Sequence, residues 1–172
     1  STHDALWQAL ASGAIDCIGS DHVAHTRTRE SMETGNVWTT ISGFPSRVEG
    51  MLPMMLSEGV NKGRISIERL AQVASENPAR IFGLYPKKGA IVPGADADLI
   101  VVDLKRRAKI TKDLLHTVTP WSVYEGWEVT GWPVMTLVRG NIVMEWPESE
   151  PRAKVTDAFV GQYLKRQLKR TG

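Results

Sequence analysis

Apolar positions recur at helical spacing through the first half of the chain and change to strand-like runs in the second. Ala5, Leu6, Ala9 and Leu10 repeat every three to four residues. Ser1 or Thr2 stands where a hydroxyl can cap a helix, and Gly13 suits a left-handed stop. The next run, Ile15-Asp16-Cys17-Ile18-Gly19-Ser20-Asp21-His22, reads as a short buried strand that ends in a carboxylate and an imidazole where the backbone must turn. From His25 to Asn36 periodicity is lost, and a long loop over the face presented by Asp21 is expected.

Gly43-Phe44-Pro45-Ser46 marks a turn, after which Val48, Met51, Leu52, Met55 and Leu56 form a helical stripe ending at Gly59, with Pro53 at a start or kink. The methionines Met51, Met54 and Met55 read as core filler. Ser66 caps a further helix with Ile67, Leu70, Ala71 and Ala74 on one face. Asn77-Pro78 ends it and opens a short turn closed by Gly83.

Beyond Tyr85-Pro86 the period changes. Ala90–Gly94 and Ala97–Asp103 read as strands joined by a Pro-Gly turn, with Asp96 and Asp98 as turn residues. Val134–Val138 and Ile142–Trp146 flank Arg139-Gly140-Asn141, a hairpin signal. A terminal helix is expected over Val155–Leu168, with Phe159, Val160, Tyr163 and Leu164 inward and a solvated basic end of Lys165, Arg166, Lys169 and Arg170. Helices before strands give an α/β segment followed by a β-rich one, divided here into residues 1–85, 86–148 and a tail 149–172.

With 172 residues, 42% of them hydrophobic, the chain has enough apolar material for a core. Its 21 basic and 19 acidic residues leave a net charge of +2, too small a field to favour nucleic acid or an anionic membrane, so a small molecule is the expected partner. One cysteine, Cys17, excludes an intrachain disulfide framework; it is expected to be a buried thiol, and the cytoplasm is the expected compartment. No apolar run reaches the roughly 20 residues that span a bilayer. The opening Ser1-Thr2-His3-Asp4 lies already at a helix start, so the chain reads as a segment of something longer.

Asp21 is the leading chemical candidate, because a carboxylate at the end of a buried strand is a hard oxygen ligand and a proton acceptor. One aspartate does not hold a metal, and catalytic zinc needs about three protein ligands. Of the four histidines, His22 points away from Asp21 if both are extended, and it is read as a loop-supporting hydrogen bonder. His25 is placed to face the same cavity, while His3 and His116 read as surface or capping residues. Ser20 lacks a nucleophile elbow, and no glycine-rich loop leads from a strand into a helix, which leaves nucleophilic and phosphate-cradling readings without support.

Three blocks in order, Ile15 to His22, Asn77-Pro78-Ala79-Arg80-Ile81-Phe82-Gly83-Leu84-Tyr85-Pro86-Lys87-Lys88-Gly89, and Gly94-Ala95-Asp96-Ala97-Asp98-Leu99, resemble the C-terminal part of the cyclic amidohydrolases. That group comprises dihydroorotase, hydantoinase or dihydropyrimidinase, and allantoinase, and the likeness runs from Ser1 to Trp146. The resemblance implies an α/β fold: the last strand and helices of a (β/α)8 TIM-like barrel, followed by part of a small β-sandwich. It implies one or two divalent metals, commonly zinc. Asp21 matches the aspartate that ligates a metal and carries a proton to the departing amide nitrogen. The family's remaining ligands, a His-x-His pair, a carboxylated lysine and two further histidines, come from earlier strands, so this segment alone is expected to be inert.

His25 in Asp21-His22-Val23-Ala24-His25 matches a histidine that helps dihydroorotases hold the substrate carboxylate, although Ala24 replaces a proline. Gly43 and Pro45 match the Gly-x-Pro-Gly substrate loop, with Ser46 in place of its last glycine. Arg47 reads either as a contact to an anionic substrate or as a surface arginine. The implied partners are a cyclic amide, and a second copy or the remaining polypeptide to cover open sheet edges. The competing reading is a non-catalytic, dihydropyrimidinase-like scaffold, which has no need of Asp21.

Overall fold

Ser1 starts the first helix in the expected way. Its hydroxyl accepts from the Asp4 amide and the Asp4 carboxylate reaches back to the Ser1 nitrogen, so α1 (Thr2–Ser12) carries a reciprocal cap, and Gly13 closes it in the left-handed region. The computed structural model describes residues 1–24, 36, 38, 47–156 and 160–165.

The second helix, α2 (Arg47–Met55), continues through a π-helical turn, Leu56–Val60, in which the Asn61 amide donates to the Leu56 carbonyl. Ser66 caps α3 (Ile67–Ala71) by accepting from the Arg69 amide. A second π-helical turn, Gln72–Glu76, carries the helix into α4 (Asn77–Ile81). Asn77-Pro78 was expected to end the helix, yet Asn77 has helical dihedrals and the chain runs on. Pro78 lacks an amide and its ring crowds the carbonyl four residues back; that residue, Ala74, lies in the wider π turn, which relieves the crowding.

The inward positions differ from the expected stripe. Val73 and Leu70 are buried, whereas Ile67 and Ala71 of the expected stripe are exposed. On α1 the inner positions are Trp7 and Leu10, and Leu6 faces outward. Leu10, Leu56, Ile65, Leu70 and Val73 make one apolar core, against which Trp7, Ile15, Ile18, Leu52 and Met55 pack.

The second half forms one antiparallel meander in the order β1 (Leu99–Lys109), β2 (Glu128–Val138), β3 (Asn141–Glu145), β4 (Lys154–Val155). Ala90–Gly94 lies outside it. There Lys87 and Lys88 bond Asp96, Lys88 also bonds Asp98, and Asp98 accepts from the Arg139 amide, so ion pairs hold this stretch as a turn. The β2–β3 hairpin turns at Arg139-Gly140, both with positive φ (50° and 83°), the geometry that matches strand twist. No terminal helix is seen in the described part of the tail. Val155 pairs with Met144 in β4, and residues 160–165 are irregular, with Tyr163 exposed. The free edge of β3 offers the backbone at 154–155 a ladder, which outcompetes local helical preference.

Ile110, Leu115, Val129, Trp132 and Trp146 form the second core, with Trp132 and Trp146 edge to face at 5.3 Å. Met54 of α2 packs on this core while Leu52 and Met55 pack on the first, so α2 lies between the two. Polar ties complete the joint. Asn61 Nδ2 donates to the Leu104 carbonyl (3.1 Å) and the Thr130 carbonyl (2.7 Å), and Ser57 Oγ accepts from the Thr130 amide. Leu104 is available because β1 bulges between Asp103 and Arg107, where Asp103 Oδ1 accepts from the Lys105 and Arg106 amides. Among the described residues no helix is long and apolar enough to cross a membrane.

Gly131 sits at this joint with φ +103°, and a Cβ there would lie 2.8 Å from Leu56 Cβ. Gly131→Ala is expected to lower stability by about 2–4 kcal/mol, whereas Gly140→Ala, with open space around it, costs about 1 kcal/mol from its dihedral alone. Urea titrations of the two variants compare them directly, and equal losses would contradict the close packing. Hydrogen bonds from Lys87 and then Lys88 hold the Asp96 carboxyl below the ordinary carboxylate range. A lowered folded value stabilises above the unfolded one, so the advantage of wild type over Asp96→Asn is expected in full at neutral pH. It should vanish as pH falls through the lowered value, as read by thermal melting across pH.

Candidate active site

Residues 15–22 belong to no strand of the described sheet, so their backbone groups need partners elsewhere. Side chains of α3 and α4 supply several. Arg69 donates from Nε to the Leu10 carbonyl (2.7 Å) and from Nη2 to the Ile15 carbonyl (2.8 Å), and Asn77 Nδ2 donates to the Asp16 carbonyl (2.7 Å). The Ile18 amide donates to the Val73 carbonyl. Ile15 and Ile18 face the first core, and the residues between face outward. Cys17, expected to be buried, is therefore exposed, because one flank of the segment is open.

At the end of the segment Asp21 adopts φ +48°, a left-handed conformation that costs an ordinary residue about 1–2 kcal/mol and aspartate less. Its side chain is 89% exposed. Arg47, the first residue of α2, contacts both neighbours of Asp21. Its amide donates to His22 Nδ1 (3.3 Å), and its guanidinium Nη1 donates to the Ser20 carbonyl (3.5 Å). The same Nη1 lies 4.0 Å from Asp21 Oδ2. With Nδ1 accepting, the His22 ring proton is on Nε2. His22 thus supports the turn by hydrogen bonding, as expected, and caps the first turn of α2.

Of the expected site residues, Asp21 is described, while His25, Gly43 and Pro45 lie outside the described residues. Among the described residues no three His, Cys, Asp or Glu side chains converge as metal ligands. Asp21 offers one oxygen donor on an open face, which fits one corner of a divalent-metal site and not a whole one.

The model of the amidohydrolase family matches residues 1–143. The chain belongs to the amidohydrolase family. This amidohydrolase segment is 44% identical over 162 residues to an L-hydantoinase of Paenarthrobacter aurescens, which covers 94% of the chain and 34% of that protein. It is 41% identical over 142 residues to a dihydroorotase of Halobacterium salinarum, covering 83% of the chain and 32% of the relative. Among solved structures, the L-hydantoinase (dihydropyrimidinase) of Arthrobacter aurescens superposes with a TM-score of 0.74 at 43% identity, over 81% of this chain and 31% of that one. The chain spans about a third of the length of these relatives.

In this amidohydrolase the supports of the Asp21 turn were not legible as such. Asn77 read as a helix cap and Arg69 had no assigned role; their partners are carbonyls 61 and 54 residues away in sequence. His116, read as a surface or capping residue, bonds Glu49 of α2 twice: its amide donates to Oε2 and its Nδ1 lies 2.7 Å from Oε1. Its Nε2 lies 2.9 Å from the Ala153 carbonyl, which links α2 to the segment entering β4. Glu49→Ala strips the amide and ring of His116 of their carboxylate and is expected to cost about 1–3 kcal/mol. Denaturant unfolding measures that loss, and a loss near zero would show the link to be passive.

Proposed function

We propose that the whole protein hydrolyses the C–N bond of a cyclic amide of the hydantoin or dihydroorotate type, with Asp21 as catalytic carboxylate and metal ligand. The observation that carries this reading is the Asp21 turn: a carboxylate on an open face, flanked on both sides by contacts to Arg47, in an amidohydrolase 44% identical to a hydantoinase. On this reading residues 1–85 form the last strand and helices of a (β/α)8 barrel and residues 86–148 part of a small β-sandwich. A second copy or further polypeptide of the whole protein covers the edge of β1, where Ile100 and Val101 are exposed. The single free thiol, Cys17, fits a cytoplasmic setting.

One or two divalent ions such as zinc, when bound, supply the positive charge that acidifies water and polarises the ring carbonyl. Asp21 gives one of the ligands, and the rest come from outside the described residues. The Asp21 carboxylate takes a proton from the attacking water as the new C–O bond forms, then delivers it to the ring nitrogen as the C–N bond breaks. His25, Gly43 and Pro45 contact the substrate ring and its substituent. The retained Asp21 favours this reading over a scaffold.

The full-length protein is expected to open a hydantoin or dihydroorotate ring, to lose that activity on chelation and to regain it with zinc. Asp21→Asn is expected to lower kcat by about 10²–10⁴-fold. Absence of turnover on hydantoins, dihydroorotate and allantoin, together with absence of bound metal, would sink the reading.

A further inference from the structure

We infer that Arg47 is a positioning residue that sets the Asp21 carboxylate by clasping the residues on either side of it. The inference rests on reading Asp21 as the reacting group. Three observations meet at this point. Asp21 occupies a left-handed dihedral that costs an L residue about 1–2 kcal/mol and aspartate less. Its two neighbours are bonded by one and the same residue, Ser20 through the Arg47 guanidinium and His22 through the Arg47 amide. The Arg47 side chain is only 26% exposed although it carries a full charge, while Asp21 beside it is 89% exposed.

The Arg47 guanidinium turns one of its nitrogens to the backbone of the turn. Here Nη1 points at a main-chain carbonyl of the turn, 3.5 Å away, and lies 4.0 Å from the carboxylate. The clasp is also bound to a rigid support. Arg47 opens α2, and two residues later Glu49 is fixed by His116. The Asp21 turn is thereby referenced to α2 and to the segment that enters β4, and not only to the residues that lead into it.

The test uses the full-length protein carrying this chain. Arg47→Gln removes the guanidinium and keeps the amide. Arg47→Pro removes both holds, and proline is accepted at the first position of a helix. Should Arg47→Pro not fold, His22→Ala removes the acceptor of the same amide and is read in its place. Amide exchange at residues 18–22 is expected to quicken severalfold in Arg47→Gln and about tenfold or more in Arg47→Pro. For whichever cyclic amide the wild type hydrolyses, kcat is expected to fall about tenfold and about a hundredfold respectively, with KM within about threefold, as for a displaced reacting group.

A rise in KM at constant kcat would overturn the inference, because it marks a substrate contact. Unchanged exchange in both variants, or quickened exchange with unchanged kcat, would overturn it as well. If the wild type hydrolyses no cyclic amide, the functional reading fails separately and exchange alone decides the clasp, quickened exchange upholding it and unchanged exchange overturning it.

Discussion

A backbone segment outside a hydrogen-bonded ladder must have its polar groups satisfied by something else, and in this chain that requirement brings three helical segments onto the residues leading to Asp21. Arg69, Asn77 and Arg47, drawn from three helical segments, bond the carbonyls of Ile15, Asp16 and Ser20, and Arg69 also bonds that of Leu10 in the last turns of α1. Charge-assisted bonds to main-chain carbonyls are stronger than neutral ones and fix direction as well as distance. A segment held in this way tolerates a left-handed aspartate at its tip.

The helical and sheet regions are coupled by geometry at α2 and the π turn after it. Leu56 is buried in the first core while its Cβ borders Gly131 of β2, and Met54 reaches the second core from the same helix. The bulge in β1 frees the Leu104 carbonyl for Asn61, and the Arg106 guanidinium from the same bulge bonds the Trp146 and Pro147 carbonyls and stacks over Trp146 at 4.0 Å. Because α2 also carries Arg47 and Glu49, the helix that joins the two cores is the one that contacts the Asp21 turn.

Chemically, the described residues present a single carboxylate rather than a cage. The chain covers about a third of its hydantoinase and dihydroorotase relatives.

Local chemistry was readable without coordinates wherever the controlling interaction is short in sequence. The Ser1 and Ser66 caps, the stop at Gly13, the hairpin at Arg139-Gly140 and the change from helix to strand each depend on residues within a few positions. Asp21 could be singled out for the same reason, since a carboxylate at the end of an apolar run is a local anomaly. What only the tertiary structure decided depends on distant partners. The helix passes through Asn77-Pro78 because a π turn lies beneath it, Val155 joins a strand because β3 has a free edge, and Cys17 is exposed because one flank of its segment is open. Arg47, Asn77 and Arg69 have no pattern of their own that reveals their roles, because each bonds a carbonyl 27 to 61 residues away, a pairing that exists only once the chain has folded.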